Sequence, residues 1–324
     1  MRALLPSIMK EQSSATLAIS RPLPGASAGL IWGLVGVLAF SFTVPFTRLA
    51  VEGGAMSPLF VSCGRAVVAA ILAAAALTLT KQRRPHGVQW VRLGVVAGGV
   101  VIGFPVLTSF ALTTAPASHG AVVIALLPAA TAVTAVLRSR ERPPTSFWIM
   151  AGVGAIAAVL FAALQGGGIG GLQFSDLLLF GAVMAAAIGY AEGGLLAREL
   201  GAWQTVSWAL VIAAPLMIVL TGVSMVQQPP TGTPIEWAAF GYLGVISMFL
   251  GFFAWYRGLA IGPMAQVSQV QLAQPVLSIG WAALLLHEHL SAATVLGGVA
   301  VIGCAATAVR ARGGRRPTTP RRSP

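Results

Sequence analysis

Charged residues are scarce in this chain. Only 9% of its 324 residues are Asp, Glu, Lys or Arg, whereas soluble proteins carry about 25%. So few charges cannot cover the water-exposed surface of a soluble protein of this length. The hydrophobic fraction of 56%, with 38 glycines in addition, is typical of an integral membrane protein and argues against a soluble enzyme.

Cysteines and recognisable catalytic motifs are also few. Cys63 and Cys304 lie in apolar runs, where a thiol usually acts as a small packing group, so no disulfide framework is expected. The chain contains no Walker A sequence. The stretch His287–His289 is followed by Ser291 at the position where a zinc-protease motif needs its second histidine. We therefore expect no cofactor, no metal ion and no catalytic residue.

Long apolar runs predict an all-α membrane protein with ten transmembrane helices. A spanning helix needs about 20 mostly apolar residues, and backbone outside a helix is not tolerated where it faces lipid. The ten predicted helices run from Leu30 to Val51, Leu59 to Thr80, Leu93 to Leu112, Ala117 to Leu137, Phe147 to Leu164, Asp176 to Leu196, Trp203 to Val226, Trp237 to Tyr256, Met264 to Leu286 and Ala292 to Val309.

The basic residues follow a membrane topology. A net charge of +12 would suit a nucleic-acid-binding protein, but 18 of the 20 Lys and Arg residues lie in the N-terminal arm, in short loops or in the C-terminal tail. If the N-terminus is cytoplasmic, all 18 fall on the cytoplasmic side, and Arg48 alone lies near the outer side. The positive-inside rule then predicts a multi-pass protein of the bacterial inner (cytoplasmic) membrane with both termini in the cytoplasm. We expect the lipid bilayer as a partner and no nucleic acid.

The two halves of the chain repeat each other. At a spacing of 147 residues, seven positions between 112 and 141 carry the same residue as their partners, without a gap. Each half contains five predicted helices, an odd number, so the second copy must insert upside down. Such inverted repeats build alternating-access transporters, whose solute site lies near the midplane between the halves. The identical pairs are Leu112/Leu259, Pro116/Pro263, Val123/Val270, Pro128/Pro275, Ala135/Ala282, Leu137/Leu284 and Glu141/Glu288.

Two short motifs and these paired stretches carry a family resemblance. Gly-Leu-Ile-Trp-Gly at 29–33 opens the first predicted helix, and Arg65 lies in Gly-Arg-Ala-Val-Val early in the second. With the stretches 112–141 and 259–288, they resemble the drug/metabolite transporter superfamily, most closely its EamA-type ten-helix branch. The first repeat departs from the family where Arg140-Glu141-Arg142 replaces Gly-Glu before an apolar residue. The resemblance implies two inverted five-helix repeats around a central cavity, and transport of amino acids or other small metabolites.

The predicted domain organisation follows from the helices and the resemblance. It consists of a cytoplasmic N-terminal arm (1–29), a first EamA-like five-helix repeat (30–164), a Gly-rich external loop (165–175), a second EamA-like repeat (176–309) and a basic, disordered cytoplasmic tail (310–324).

The ninth predicted helix carries the clearest polar face. Gln271, Gln274 and Ser278 fall at i, i+3 and i+7 and so share one side of the helix. Pro275 frees a backbone carbonyl nearby. This face suits a hydrated cavity or the polar ends of a solute. Hydrogen bonding between helices is the alternative, and we favour the cavity.

Two titratable side chains inside predicted helices have open interpretations. Glu192 is the candidate for proton coupling or for binding a substrate amine, since burial favours a protonated carboxyl. Its alternative is an ion pair with Arg198 at the inner interface. His119 suits a proton switch or part of the cavity, although we favour a hydrogen-bonded residue at the start of its helix.

Arg65 and two aromatic residues complete the candidate site. Arg65 either attracts the carboxylate of a solute or pairs with Glu52 and supports the fold, and we favour the structural role. Tyr190 and Trp255 are candidates for lining the cavity, with an interfacial position as the alternative.

The inverted repeat predicts a secondary transporter that works by alternating access, with or without proton coupling. The family resemblance implies that the solute is a small polar metabolite such as an amino acid, and we favour export. The alternatives are an uncoupled facilitator or importer and, with less support, a membrane-embedded enzyme. Small-residue pairs such as Gly29/Gly33 and Gly99/Gly103 permit close helix contacts within one chain or in a homodimer.

Overall fold

Helices make up all the regular structure in the described part of the chain. The structure is a computed structural model that describes residues 26–139, 145–165, 173–261 and 270–313. We number its ten helical segments as follows: α1 (Ala26–Ser41 and Thr43–Glu52), α2 (Pro58–Leu79), α3 (Val88–Val96, the π-helical Ala97–Gly103, and Phe104–Ala111), α4 (Ala117–Ile124 and Leu127–Ser139), α5 (Thr145–Gln165), α6 (Phe174–Leu200), α7 (Ala202–Gln227), α8 (Pro234–Tyr242, the π-helical Leu243–Leu250, and Gly251–Ile261), α9 (Ala273–Leu285) and α10 (Ala292–Gly313).

Seven of these segments are long and apolar enough to cross a membrane, namely α1, α2, α3, α4, α6, α7 and α8. The apolar parts of α5, α9 and α10 are shorter in the described residues. The predicted helical membrane protein is therefore confirmed, while the count of ten spans stays a prediction. The predicted start of the ninth helix, at 264–269, lies outside the described residues.

Helix starts follow local capping chemistry. The hydroxyl of Ser57 accepts a hydrogen bond from the backbone N–H of Phe60 at the start of α2, with Pro58 at the first helical position. At the start of α8, Thr233 and Glu236 bond each other's backbone N–H groups in a capping box. These bonds satisfy N–H groups that have no partner within the helix.

The two halves have matching architecture. The π-helical stretch Ala97–Gly103 of α3 has its counterpart in Leu243–Leu250 of α8, and α10 begins at Ala292, 147 residues after the start of α5 at Thr145. A π-helical stretch is rare and often marks a functional position. Its recurrence at the same spacing therefore supports two structural repeats, α1–α5 and α6–α10.

The repeats have opposite orientations. Ser57 before α2 lies 2.5 Å, Oγ to Oγ, from Ser224 near the end of α7, and Gln204 near the start of α7 donates to Gln82 after α2 at 3.1 Å. The equivalent helices α2 and α7 thus run antiparallel. We call the end of the bundle that holds the start of α2 the Glu288 end, and the opposite one the Arg92 end.

Small residues bring helices of the two repeats close together. A Cβ added at Gly99 in α3 would lie 2.3 Å from the carbonyl oxygen of Ala185 in α6, and one added at Gly258 in α8 would lie 2.6 Å from the backbone nitrogen of Gly33 in α1. The predicted small-residue pairs are therefore used within the chain.

The outward surface is apolar. Large side chains such as Ile71, Leu79, Val226 and Leu296 are more than half exposed. Soluble monomers rarely expose so much contiguous apolar surface, and lipid tails would cover it.

Candidate functional site

A central cavity lies between α1, α2, α3, α4, α6, α8 and α9. It consists of two adjoining spaces of about 40 and 10 Å³ that share Val44, Leu127 and Gln274 in their walls. A space of about 10–15 Å³ is needed for one water molecule, so the described conformation has room for a few waters. Binding of a metabolite requires these helices to move apart.

Polar residues of the ninth predicted helix border this cavity, although that helix is not continuous in the structure: Gln271 lies in the turn before α9, and Gln274, Pro275 and Ser278 lie in α9 itself. Gln271, Gln274, Pro275 and Ser278 all line its smaller space, and Gln274 also lines the larger one. The Ser278 hydroxyl donates to the backbone oxygen of Ser41 in α1 at 2.7 Å. Ser278 thus makes a bond between helices, and the role of this group in binding a solute stays a prediction.

Aromatic and hydroxyl side chains form much of the larger space. Phe40, Tyr190 and Phe252 contribute rings, and the hydroxyls of Thr43 and Ser247 bond each other at 2.7 Å across α1 and α8. Tyr190 thus lies in the cavity wall, and its part in binding a solute stays a prediction. The Thr43–Ser247 pair was not predicted, because its members lie 204 residues apart and share no local pattern.

Trp255, the other aromatic candidate, lies away from the central cavity. It is buried, and its backbone and Cβ atoms lie 2.9 Å from where a Cβ on Gly36 would be. This side chain packs at the contact between α8 and α1 and is not among the residues that line the central cavity.

Arg65 lies in the wall of the larger space with little compensation for its charge. It is 2% exposed, and its Nη1 donates to the Thr47 hydroxyl at 3.2 Å. Its Nε and Nη2 atoms are buried without a hydrogen-bond partner among the described residues. Glu52, the partner considered from the sequence, instead bonds Arg48 four residues earlier on α1.

A second group of polar residues lies at the Glu288 end. His119 Nε2 lies 2.6 Å from Asp176 Oδ1, and both side chains are largely buried. The Glu288 carboxylate accepts hydrogen bonds from the backbone N–H groups of Ala117 at 2.7 Å and Ser118 at 2.9 Å. These residues border a separate cavity of about 260 Å³, so His119 does not reach the central cavity in this conformation.

Glu288 and Asp176 hold helix starts together. A carboxylate at a helix N-terminus stabilises the unpaired N–H groups and the positive end of the helix dipole. Glu288, which follows α9, does this for α4. Asp176 Oδ2 accepts from the backbone N–H of Gln173 at 2.8 Å at the start of α6, while its other oxygen meets His119 of α4.

A cluster of opposite charges lies at the Arg92 end. Glu192 on α6 bonds Arg92 Nε on α3 through one oxygen and Arg138 Nε on α4 through the other, the latter at 2.8 Å. Arg92 also bonds Glu199. The hydrogen bond from Arg92 lowers the pKa of the exposed Glu199 carboxyl below its usual range.

The position of Glu192 bears on its predicted role in proton coupling. With a guanidinium on each oxygen, protonation of this carboxylate is opposed as long as both ion pairs persist. The side chain of Arg198, the partner considered from the sequence, lies outside the described residues. Arg92 and Arg138 were not predicted as partners.

Comparison with known proteins supports this architecture. Residues 27–163 and 173–309 each match the model of the EamA-like transporter family. The chain is 43% identical over 290 residues to "Uncharacterized transporter YdeK" of Bacillus subtilis (strain 168), covering 87% of this chain and 97% of that protein.

One solved structure has the same fold. It is described as "Crystal structure of protein", covers 89% of this chain and 98% of its own, and matches with a TM-score of 0.59 at 21% sequence identity. At this identity the likeness extends to the fold alone.

Proposed function

Because the chain belongs to the EamA-like transporter family of the drug/metabolite transporter superfamily, we propose that it moves a small polar metabolite, such as an amino acid, through its central cavity by alternating access. The observation that carries this proposal is a cavity with polar groups on several helices, enclosed between two inverted repeats. Inverted repeats can exchange conformations and so open one shared site first to one side and then to the other.

We propose ten membrane spans, with the Arg92 end facing the cytoplasm. Pseudo-symmetry supports the count, since α9 is equivalent to α4, which is long enough to span. The equivalent helices α5 and α10 have 21 and 22 residues, about the length that a span needs. The basic residues support the orientation, because Lys81, Arg92, Arg138 and Arg257 all lie towards the Arg92 end, whereas Arg48 lies towards the other. In the inner membrane of a bacterium this arrangement puts both termini in the cytoplasm.

Export is the proposed direction of transport, with the proton gradient as the proposed energy source and Glu192 as the candidate proton site. Coupling at Glu192 requires that the cluster at the Arg92 end opens during transport, since Arg92 and Arg138 hold the carboxylate in the described conformation. An uncoupled facilitator would have no such requirement.

The test is solute flux in proteoliposomes. The native chain is reconstituted and offered a panel of labelled amino acids, organic acids, amines and neutral metabolites, with and without a proton gradient. Glu192→Gln is compared with Glu199→Gln, a matched control that removes the other carboxylate bound by Arg92. We expect one class of solute to move faster with the gradient, and only Glu192→Gln to lose that dependence.

Each other outcome identifies a different error. Flux that ignores the gradient in the native protein indicates a facilitator. Gradient dependence that survives in Glu192→Gln removes Glu192 as the proton site. A folded protein that moves no member of the panel contradicts the proposed substrate class.

A further inference from the structure

Arg65 carries an uncompensated positive charge in the wall of the central cavity. Burying a guanidinium away from water is costly unless an anion or several hydrogen-bond acceptors replace the water. Within the described residues only the Thr47 hydroxyl does so, on one of three nitrogens. The side chain lies about 10 Å along α2 from its start at Pro58, well inside the span.

The described carboxylates all have other partners. Glu52 bonds Arg48, Asp176 bonds His119, and both Glu192 and Glu199 bond Arg92. The remaining two cap helix starts: Glu236 bonds Thr233 at the start of α8, and Glu288 bonds backbone N–H groups of α4. None of these six acids is therefore available to neutralise Arg65.

The cavity around Arg65 favours an anion over a cation. Its described lining contains this one charged side chain and no carboxylate. An ammonium group in the same space would meet the positive charge in a low-dielectric environment, where repulsion is strong. Two guanidinium nitrogens, by contrast, form a planar fork that matches the two oxygens of a carboxylate.

We propose that Nε and Nη2 of Arg65 bind the carboxylate of the transported solute. The apolar part of the solute then lies against Phe40, Tyr190 and Phe252, and the hydroxyls of Thr43 and Ser247 and the amide of Gln274 meet its remaining polar groups. The substrate class is thus a small organic acid or an amino acid with an apolar body, and organic cations are excluded. This inference rests on the proposed function, because it names the solute class of the same cavity.

Binding to the purified full-length protein tests the proposal. The probes share one carbon skeleton: 4-methylpentanoate, leucine, which is its 2-amino derivative, and 4-methylpentylamine. Acetate and 3-phenylpropionate, each with its amine counterpart, extend the range of body size. Affinity is measured by calorimetry for the native chain, Arg65→Met, Arg65→Lys and the control Arg257→Gln, whose arginine is exposed and stacks on Trp32.

We expect at least one carboxylate to bind the native protein and Arg257→Gln equally, and the matching amine to bind neither. Arg65→Met should weaken carboxylate binding roughly tenfold to hundredfold, as loss of charge-assisted hydrogen bonds does. The carboxylate affinity of Arg65→Lys should lie between those of the native protein and Arg65→Met, because lysine keeps the positive charge but has no planar fork of donors. The proposal would be overturned by any of three results. These are unchanged carboxylate affinity in Arg65→Met, tighter binding of an amine than of its carboxylate, and no binding of any carboxylate.

Thermal unfolding without ligand tests whether Arg65 serves binding or stabilises the fold. If Arg65 is retained for binding, Arg65→Met removes an uncompensated buried charge, and its melting temperature should be higher than native or lower by no more than about 2 °C. A marked fall, together with unchanged carboxylate affinity in Arg65→Lys, would assign Arg65 to the fold. Should Arg65→Met fail to fold, the decision rests on Arg65→Lys: weaker carboxylate binding supports the proposal, and unchanged binding overturns it.

The flux and binding measurements together distinguish a wrong role for Arg65 from failure of the proposed transport function. If the proteoliposomes move amines or neutral solutes but no carboxylate, the transporter stands and the role of Arg65 is wrong. If carboxylates bind through Arg65 but nothing crosses the membrane, the binding site stands and the transport proposal fails.

Discussion

His119 and Asp176 show how much depends on a single buried contact. Their hydrogen bond of 2.6 Å joins the first turns of α4 and α6, and Asp176 also accepts the backbone N–H of Gln173. One carboxylate therefore satisfies two groups at once. Its loss would leave the buried imidazole of His119 without this acceptor and the start of α6 without its cap.

We predict that Asp176→Ala lowers the free energy of unfolding by about 2–4 kcal/mol, combining an unsatisfied buried group with a lost cap. Asp176→Asn keeps an oxygen for the Gln173 N–H and an amide for the ring, and should lose less than half as much. Thermal unfolding of the purified variants in detergent measures both. Equal losses in the two variants would show that the negative charge, and not the hydrogen bonds, stabilises this contact.

Residue-scale prediction from sequence depends on a local pattern. The spacing of Gln271, Gln274 and Ser278 predicts that they lie near one another, and all three border the central cavity, although Gln271 lies in the turn before α9. Pairing with Glu52 was one of two interpretations of Arg65, but Glu52 bonds Arg48, which stands four residues before it at the spacing that favours an ion pair on one helix. The contact of Glu192 with Arg92 links positions 100 residues apart and has no local signal.

At the scale of helices, α3 and α6 lie close together because the glycines at their contact have no side chains. Gly99 faces backbone atoms of Ala185 and Gly189, and an added Cβ would lie 2.3 Å from the Ala185 oxygen. Backbone cannot yield as a flexible side chain can. The neighbouring Gly98 is exposed, and a Cβ there would meet nothing within 4 Å.

These two glycines provide a matched pair of substitutions. Gly99→Ala should push α3 away from α6 and destabilise the protein by about 1–3 kcal/mol, the usual cost of overpacking. Gly98→Ala adds the same methyl group in open space and should leave stability unchanged or slightly raised, since Ala favours a helix more than Gly. Melting temperatures of the two variants decide, and similar values would contradict close packing at Gly99.

The predicted helix boundaries differ from the structure by one residue at each end of α2 and by five at the start of α3. The predicted range Leu59 to Thr80 differs by one residue at each end from α2, because Pro58 and the apolar run define that helix clearly. The predicted start of α3 at Leu93 was five residues late. Arg92 and Gln89 lie before that predicted start, and the structure places both in the helix and pairs both side chains with Glu199.

The π-helical stretches had no recognisable signal. Ala97–Gly103 and Leu243–Leu250 consist of apolar residues and glycines that would fit an α-helix equally well. Their position at one spacing in both repeats became apparent only from the backbone. They adjoin the central cavity through Val100, Leu243 and Ser247, which places irregular backbone next to the candidate site.

For the whole molecule, the antiparallel pair α2 and α7 connects the two repeats at both ends. Ser57 meets Ser224 at the Glu288 end, and Gln82 meets Gln204 at the Arg92 end. If the repeats rock against each other, the contacts at the two ends must open alternately. A covalent link at either end should then stop the cycle, even though neither link touches the central cavity.

We predict that Ser57→Cys/Ser224→Cys forms a disulfide on oxidation and that Gln82→Cys/Gln204→Cys is joined by a short bifunctional thiol cross-linker, because the contact there is between the tips of two longer side chains. Both pairs are placed in a background where Cys63 and Cys304 are replaced by Ala. Each link should reduce solute flux roughly tenfold or more, because alternating access needs movement at both ends, and a reductant should restore flux in the disulfide-linked pair. The four single-cysteine variants control for the substitutions themselves. Full flux with a complete link at both ends would contradict rocking of the repeats, because solute would then cross while α2 and α7 stay joined, as in a channel-like or locally gated path.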